Sequence, residues 1–351
     1  MIPHSRPTIG EEEAQAAATV IRSGHLVDGP FTGQFEQAVA RQAGANWGVA
    51  VSSGTSALHL ALLSLDVGPG DRVALPSYVC VAVLQAVRHT GAEPVLVDVD
   101  PMTMNLDPDA LKRIAPAHLK AVIVPHLFGL PADLDAILAI GVPVIEDCAH
   151  AIGARYNNRP VGGLASVSIY SFYATKMLTT GEGGMVVGRD TGMEARVRAL
   201  RDYDCPDGSR LRFNYKLTEM QAAIGLVQLR KLPDFLARRR ALANTYRQAW
   251  KDLPVGQPVE KPDRLNSYYR YTLRLPTVGS LPALIEQFEQ AGVACRRPVT
   301  RPIHQFYGSF SCPGADDIFD RTLSVPLYPS LSESESEIVI QATQQILSDC
   351  E

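Results

Sequence analysis

Between about residues 48 and 190 the chain alternates short β-branched runs with longer segments of helical character. The runs are GVAVS from 48, RVAL from 72, PVLVD from 94, AVIVP from 121, PVIE from 143, VSIYS from 167 and MVV from 185. Strands separated by helices pair through crossover connections, so the pattern predicts a mostly parallel sheet with helices on both faces, an α/β fold. Glu11, Glu12 and Glu13 open a helix over 10–24 that ends at Arg22 and Gly24, in keeping with the helix dipole. Thr218 with Gln221 caps another over 218–231, placing Met220, Ala223, Ile224 and Val227 at helical spacing. After Pro233 the pattern changes to a charged helix with Arg238, Arg239 and Arg240, a Pro-rich link, the strand-like YYRYTLRL and a helix near 281–291. The expected division is a large domain over 10–233 and a smaller α+β domain over 234–351. The arginine triplet reads as a solvated helix face, and Ser332 to Glu337 as the capped start of a final helix.

Composition narrows the function. A net charge of -4 leaves no basic excess to neutralise a nucleic-acid backbone. The six cysteines are scattered without a CxxC pair or a short Cys/His cluster, so neither a disulfide framework nor a metal site is expected. The N-terminal MIPHSRPTIGEEEAQ lacks the basic-then-apolar pattern of a signal peptide, and no apolar run approaches the roughly 20 residues a membrane helix needs. A soluble cytoplasmic protein is the expectation.

Three segments carry chemistry. SSGTSAL at 52–58 puts a Gly-Thr-Ser turn at a helix start, where backbone N–H groups receive a phosphate; the plainer reading is helix capping by Ser52, Ser53 and Ser56. PVIEDCAHAIGA at 143–154 ends a strand in Glu146 and Asp147, at the carboxyl edge where ligands of parallel sheets bind. A carboxylate there suits a protonated heteroaromatic nitrogen or a helix cap. SIYSFYATKMLTTGEGG at 168–184 sets Lys176 between aromatics and a glycine-rich turn. Partly withdrawn from water, that lysine becomes a nucleophile able to form a Schiff base; otherwise it is a surface lysine.

With these segments, the chain resembles the DegT/StrS-type sugar aminotransferases, pyridoxal-phosphate enzymes of the aspartate aminotransferase fold (fold type I). The likeness runs nearly end to end, through GHLVDGPFTGQFE, SSGTSALHLALLSL, VIEDCAHAIGA, SFYATKMLTTGEGG, FNYKLTEMQAAIGLVQL and LSVPLYPSL. It implies a seven-stranded-type sheet and pyridoxal 5'-phosphate as cofactor. Lys176 then matches the Schiff-base lysine and Asp147 the partner of the pyridinium nitrogen. Gly54, Thr55, Ser56 and Ser171 match the phosphate site, and His150 stands near the phenolic oxygen. Asn214 matches an asparagine given to the phosphate site by the neighbouring subunit, which implies a homodimer. Where an aromatic residue usually stacks on the cofactor ring, PSYVCVAV places Cys80, with Tyr78 as the other candidate. In RRPVTRPIHQFY, His304 and Tyr307 match positions near the substrate entrance, while His126 reads as a packed residue.

The implied activity is transfer of an amino group from glutamate or glutamine to a keto sugar, nucleotide-linked, or to a keto cyclitol. Two alternatives accompany it. A sugar dehydratase of the same fold typically has histidine in place of the Schiff-base lysine, and a catalytically silent regulatory protein would need damage in the cofactor constellation.

Overall fold

The computed structural model describes residues 1–114, 119–204, 211–276, 280–308 and 310–348. All seven apolar runs are strands of one sheet: β1 (Trp47–Val51), β2 (Arg72–Pro76), β3 (Glu93–Val97), β4 (Ala121–Pro125), β5 (Val144–Asp147), β8 (Val167–Ser171) and β9 (Gly184–Gly188). The two-residue strands β6 (Arg155–Tyr156) and β7 (Arg159–Pro160) form a separate hairpin. The order is β1-β9-β8-β5-β4-β2-β3. Strands β3, β2, β4, β5 and β8 run parallel, and β9 lies antiparallel to both β8 and β1. The carboxyl ends of β1, β2, β4, β5 and β8 therefore share one edge.

The helices covering the sheet are α1 (Glu11–Ser23), α2 (Pro30–Ala43), α3 (Gly54–Ser64), α4 (Val81–His89), α5 (Pro108–Arg113), α6 (Leu134–Leu138) and α7 (Thr191–Arg201). Every residue of β4 is buried, because both faces are covered. Alternate side chains divide between two cores: Val122 and Val124 join Phe35, Leu134 and Phe172, whereas Ala121 and Ile123 join Leu60, Leu75 and Val83.

Helix α8 (Glu219–Ala249) opens with the Thr218/Gln221 capping box and continues through Pro233. The boundary expected at 233/234 thus lies inside one helix, which joins the sheet domain to a third core of Tyr246, Trp250, Tyr271 and Phe288. That core contains α9 (Leu281–Gln290), α11 (Glu333–Leu347) and the pair β11 (Tyr271–Arg274) with β12 (Thr322–Val325). Strand β10 (Arg264–Leu265) pairs with β6. The chain also departs from a simple two-part division at both ends of the small domain. Ile2 packs into the third core, while Val299, Ile303 and the α10 (Pro313–Arg321) residues Ala315 and Ile318 pack onto the sheet domain.

The arginine triplet is not a solvated face. Arg239 is buried and donates through Nη1 to the carbonyls of Tyr268, Tyr269 and Leu327. Burial lowers its guanidinium to about 10. Arg238 donates to Leu331 O, and Arg240 to Asn266 O and Gly153 O. A charge run at helical spacing looks solvated in sequence, but unpaired loop carbonyls from the facing segments turn it inward. Of the cysteines, Cys148, Cys295 and Cys312 are buried and Cys80 is exposed; Cys205 and Cys350 lie outside the described residues.

Candidate active site

At the carboxyl edge of the sheet lies a cavity of about 310 Å³, lined by Gly54, Thr55, Cys80, Asp147, His150, Ser171 and Lys176 among others. Its floor is the start of α3. Ser53 caps that helix by accepting from Ser56 N at 3.0 Å, and no acidic residue stands in the first turn, so the N–H groups and the positive end of the dipole face the cavity uncompensated. Gly54 is required by closeness: a Cβ there would stand 2.7 Å from Ser171 Cβ. Helix start and strand end thereby converge on one point. Ser56 is placed behind the cradle, bonded to Ser53 Oγ at 2.9 Å and Ser52 Oγ at 3.1 Å, and does not line the cavity.

The two acids that end β5 face opposite ways, as neighbours on a strand must. Asp147 lines the cavity, and its carboxylate accepts one hydrogen bond among the described residues, from Ala149 N at 2.9 Å. Burial pushes its carboxyl above the usual range, against the pull of that bond and of Lys176. Glu146 does not lie at the site edge, contrary to the sequence expectation. It accepts from Gly162 N, Leu164 N and Ala165 N at 2.6–2.9 Å, and from Ser168 Oγ. Although burial opposes ionisation, His126 and these N–H donors hold Glu146 below its ordinary value. His126 Nδ1 accepts from Ala132 N at 3.0 Å, so Nε2 carries the proton that it donates to Glu146 at 3.2 Å. His126, Glu146 and Cys148 lie within 4.8 Å of one another. Burial, then Glu146 and Asp147, push the Cys148 thiol well above its ordinary value.

Lys176 is half-buried, with Nζ 5.1 Å from the centre of the Tyr269 ring. That ring stacks on His150 at 4.2 Å and 18°, and Phe128 stands 6.0 Å away on the imidazole. Burial, then Lys176 and Arg270, push His150 well below its ordinary value, so it is neutral. Its Nδ1 accepts from Phe128 N at 3.4 Å, which leaves the proton on Nε2. Tyr269 reaches this place because the 267–270 segment docks on the turn at Phe128 and Gly129, with Ser267 N donating to Gly129 O at 3.1 Å. Gly129 has φ +100°, and a Cβ there would meet Ser267 Oγ at 2.4 Å. Tyr269 is not legible as a site residue in sequence; its only signal is the aromatic cluster YYRY, which reads equally as a buried strand.

Cys80 lines the cavity as the residue before α4, whereas Tyr78 is fully buried and meets Phe128 edge-on at 6.5 Å. Asn214 is exposed and does not line the cavity. Its segment is nevertheless pinned nearby: Phe213 N donates to Leu200 O, Tyr215 N to Arg201 O, and Ser52 N to Tyr215 O. His304 and Tyr307 also stand outside the lining. His304 bridges Ser77 Oγ at 2.6 Å and Asp316 Oδ1 at 3.1 Å, and so clamps the small-domain segment to the end of β2. Tyr307 lies under Arg88.

A half-buried lysine, a buried acid and an acid-free helix start share one cavity, and comparison with known proteins gives the class of the protein. The model of the DegT/DnrJ/EryC1/StrS aminotransferase family matches residues 7–344. The spore coat polysaccharide biosynthesis protein SpsC of Bacillus subtilis (strain 168) is 34% identical, over 99% of this chain and 97% of its own. The aminotransferase TlmJ of Streptoalloteichus hindustanus superposes with a TM-score of 0.94 at 35% identity, covering 99% of each chain. Spr1654 of Streptococcus pneumoniae, named a sugar aminotransferase and solved in its PLP form, gives a TM-score of 0.94 at 25% identity over 100% of this chain and 99% of its own. The chain belongs to the DegT/DnrJ/EryC1/StrS family and is a pyridoxal-phosphate-dependent aminotransferase.

Gly54→Ala tests the cradle. Forcing a methyl against Ser171 costs about 1–3 kcal/mol of overpacking, and the strain falls on the backbone that lines the cavity. The expected result is weaker cofactor uptake in an absorbance titration, with thermal unfolding still cooperative.

Proposed function

We propose that the protein transfers an amino group from glutamate or glutamine to the keto group of a nucleotide-linked sugar or a cyclitol. The observation that carries this reading is the shared cavity, in which Lys176 and Asp147 face the start of α3. The residues fit pyridoxal phosphate. The helix start bears no acid, the cradle is tightened by Gly54, and Asp147 is a buried carboxylate with no cation bonded to it among the described residues. When bound, the cofactor supplies the electron sink that an amino-group transfer needs.

The side chains divide the work. Gly54 and Thr55 give backbone N–H groups, and Ser171 a hydroxyl, to the phosphate. Asp147 holds the ring nitrogen protonated. His150, neutral with its proton on Nε2, donates toward the phenolic oxygen. Cys80, which lines the cavity, would offer its polarizable sulfur to the cofactor where an aromatic is usual. Lys176 would hold the cofactor through Nζ and, once free, would move a proton at that atom. Phe128 and Tyr269 wall off water behind His150.

Asn214 completes the phosphate site of a second subunit in a homodimer, supported by its exposure on a pinned segment outside its own cavity. Mixing Asn214→Ala with Lys176→Ala subunits tests this. In a cross-subunit site the hybrid rebuilds one complete site, so activity returns toward half that of the unmodified dimer. If Asn214 serves its own subunit, hybrids stay as weak as the parents.

A further inference from the structure

The arm over 211–217 that bears Asn214 is bound to the sheet domain through its backbone, and one helix holds two of its side chains. Phe213 and Tyr215 stack ring on ring at 4.9 Å and 14°, while Asn214 between them is exposed. His59, in the middle of α3, meets both: its ring stands edge-on to Phe213 at 4.9 Å and to Tyr215 at 6.0 Å. Its Nδ1 and the Tyr215 hydroxyl are hydrogen-bonded at 3.3 Å. His89, at the end of α4, closes the cluster at 5.6 Å from His59.

A histidine is an unfavourable choice for this place. His59 is 4% exposed, and its neighbours Leu58, Leu60, Ala61 and Leu62 on α3 are apolar core residues. Burial, and then His89, lower its imidazole to about 4, so the ring is neutral at physiological pH. A buried polar ring destabilises the fold unless it is bonded, and the bond that His59 makes goes to the arm. Its effect therefore falls on the placement of residues 213–215. The backbone bonds at Phe213 N, Tyr215 N and Tyr215 O fix where the arm runs. Two alternate side chains clasped from one side then set which way the residue between them points.

We propose that His59 is a positioning residue that aims Asn214 at the phosphate site of the second subunit. The inference rests on the homodimer reading of Asn214. It makes α3 a shared element, whose first turn forms the cradle of its own subunit and whose middle holds the arm that serves the other. His59 acts through the arm alone, since it does not line the cavity.

Hybrid dimers isolated through two different affinity tags test this, read by the pyridoxal phosphate concentration at which borohydride half-fixes the 168–184 peptide. Lys176→Ala silences one site for this readout, so each hybrid reports on a single subunit. With His59→Leu on the Lys176→Ala chain, the reporting subunit is unmodified but receives Asn214 from the altered chain. Half-fixation should then need about 5- to 30-fold more cofactor, the usual effect of losing a buried hydrogen bond. With His59→Leu on the reporting chain itself, the value should match that of a hybrid without it. Tyr215→Phe keeps both rings and drops only the hydroxyl, and should repeat the pattern at about 2- to 10-fold, which separates lost aim from lost folding. His59→Asn keeps a polar group near the place of Nδ1 and should recover part of the loss. Equal values in all hybrids, or a loss confined to His59→Leu on the reporting chain, would overturn the proposal while Asn214→Ala still acts across the interface. Should Asn214→Ala act only within its own subunit, the homodimer reading fails instead, and His59→Leu following it into that arrangement would still support His59 as the residue that aims Asn214.

Discussion

Lys176→Ala should lower turnover by about 10⁴-fold or more, because it removes both the covalent hold on the cofactor and the proton carrier at the reacting carbon. The loss should be chemical rather than structural. Lys176 is half-buried, and its side-chain contact is the face of Tyr269 rather than an ion pair within the described residues. Removing it leaves the α3 cradle, Asp147 and His150 in place, so the variant should still bind pyridoxal phosphate reversibly. Borohydride should fix the cofactor to the unmodified protein and not to Lys176→Ala, as read by the mass of the 168–184 peptide. Cofactor fixed to the variant would mean that another amine does this work and that the site assignment is wrong. Thermal unfolding should move little, since truncating a side chain away from caps, core and networks changes stability by about 0.5 kcal/mol or less.

The sheet was legible because strands buried on both faces must be continuous apolar runs, and each of the seven runs became a strand of it. The Gly-Thr-Ser turn is legible as the start of α3, but capping by Ser53 accounts for the same residues as a phosphate cradle does. What could not be read was anything fixed by long-range docking. Glu146 and Asp147 look equivalent in sequence. Only the strand's facing sends one to the cavity and the other to the 162–165 loop. Pro233 marks a break by local rules, yet the cores at both ends of α8 hold the helix through it. Arg239 looked solvated because the carbonyls it satisfies come from Tyr268, Tyr269 and Leu327, distant in the chain. His304 reads in sequence equally as a substrate contact or as a structural histidine, because its partners Ser77 and Asp316 are distant in the chain or unmarked.

Asp147→Asn is expected to separate stability from catalysis. In the cofactor-free protein Asp147 is a buried carboxylate whose main effect is the desolvation that raises it, so its charge costs stability. The sign follows from linkage. The folded value lies above 3.8, so the folded state binds the proton more tightly than the unfolded chain. The contribution to stability is most favourable below pH 3.8 and is lost as pH rises through the folded value. Above the folded value the cost is fully present, and an asparagine of the same shape removes it while still accepting from Ala149 N. Cofactor-free Asp147→Asn should therefore melt higher than the unmodified protein above the folded value, with the difference shrinking as pH falls through that value and gone below pH 3.8. Loaded with cofactor, the order should reverse in function: a neutral amide cannot hold the ring nitrogen protonated, and turnover should fall by about 10²- to 10³-fold, the usual loss for one preorganised electrostatic group. A variant that is less stable without cofactor, at full turnover with it, would show that Asp147 serves the turn at Ala149 and not the ring. The higher melting temperature and the lost turnover have one cause, since a charge that is costly in the cofactor-free cavity is what makes the cavity selective for a protonated ring.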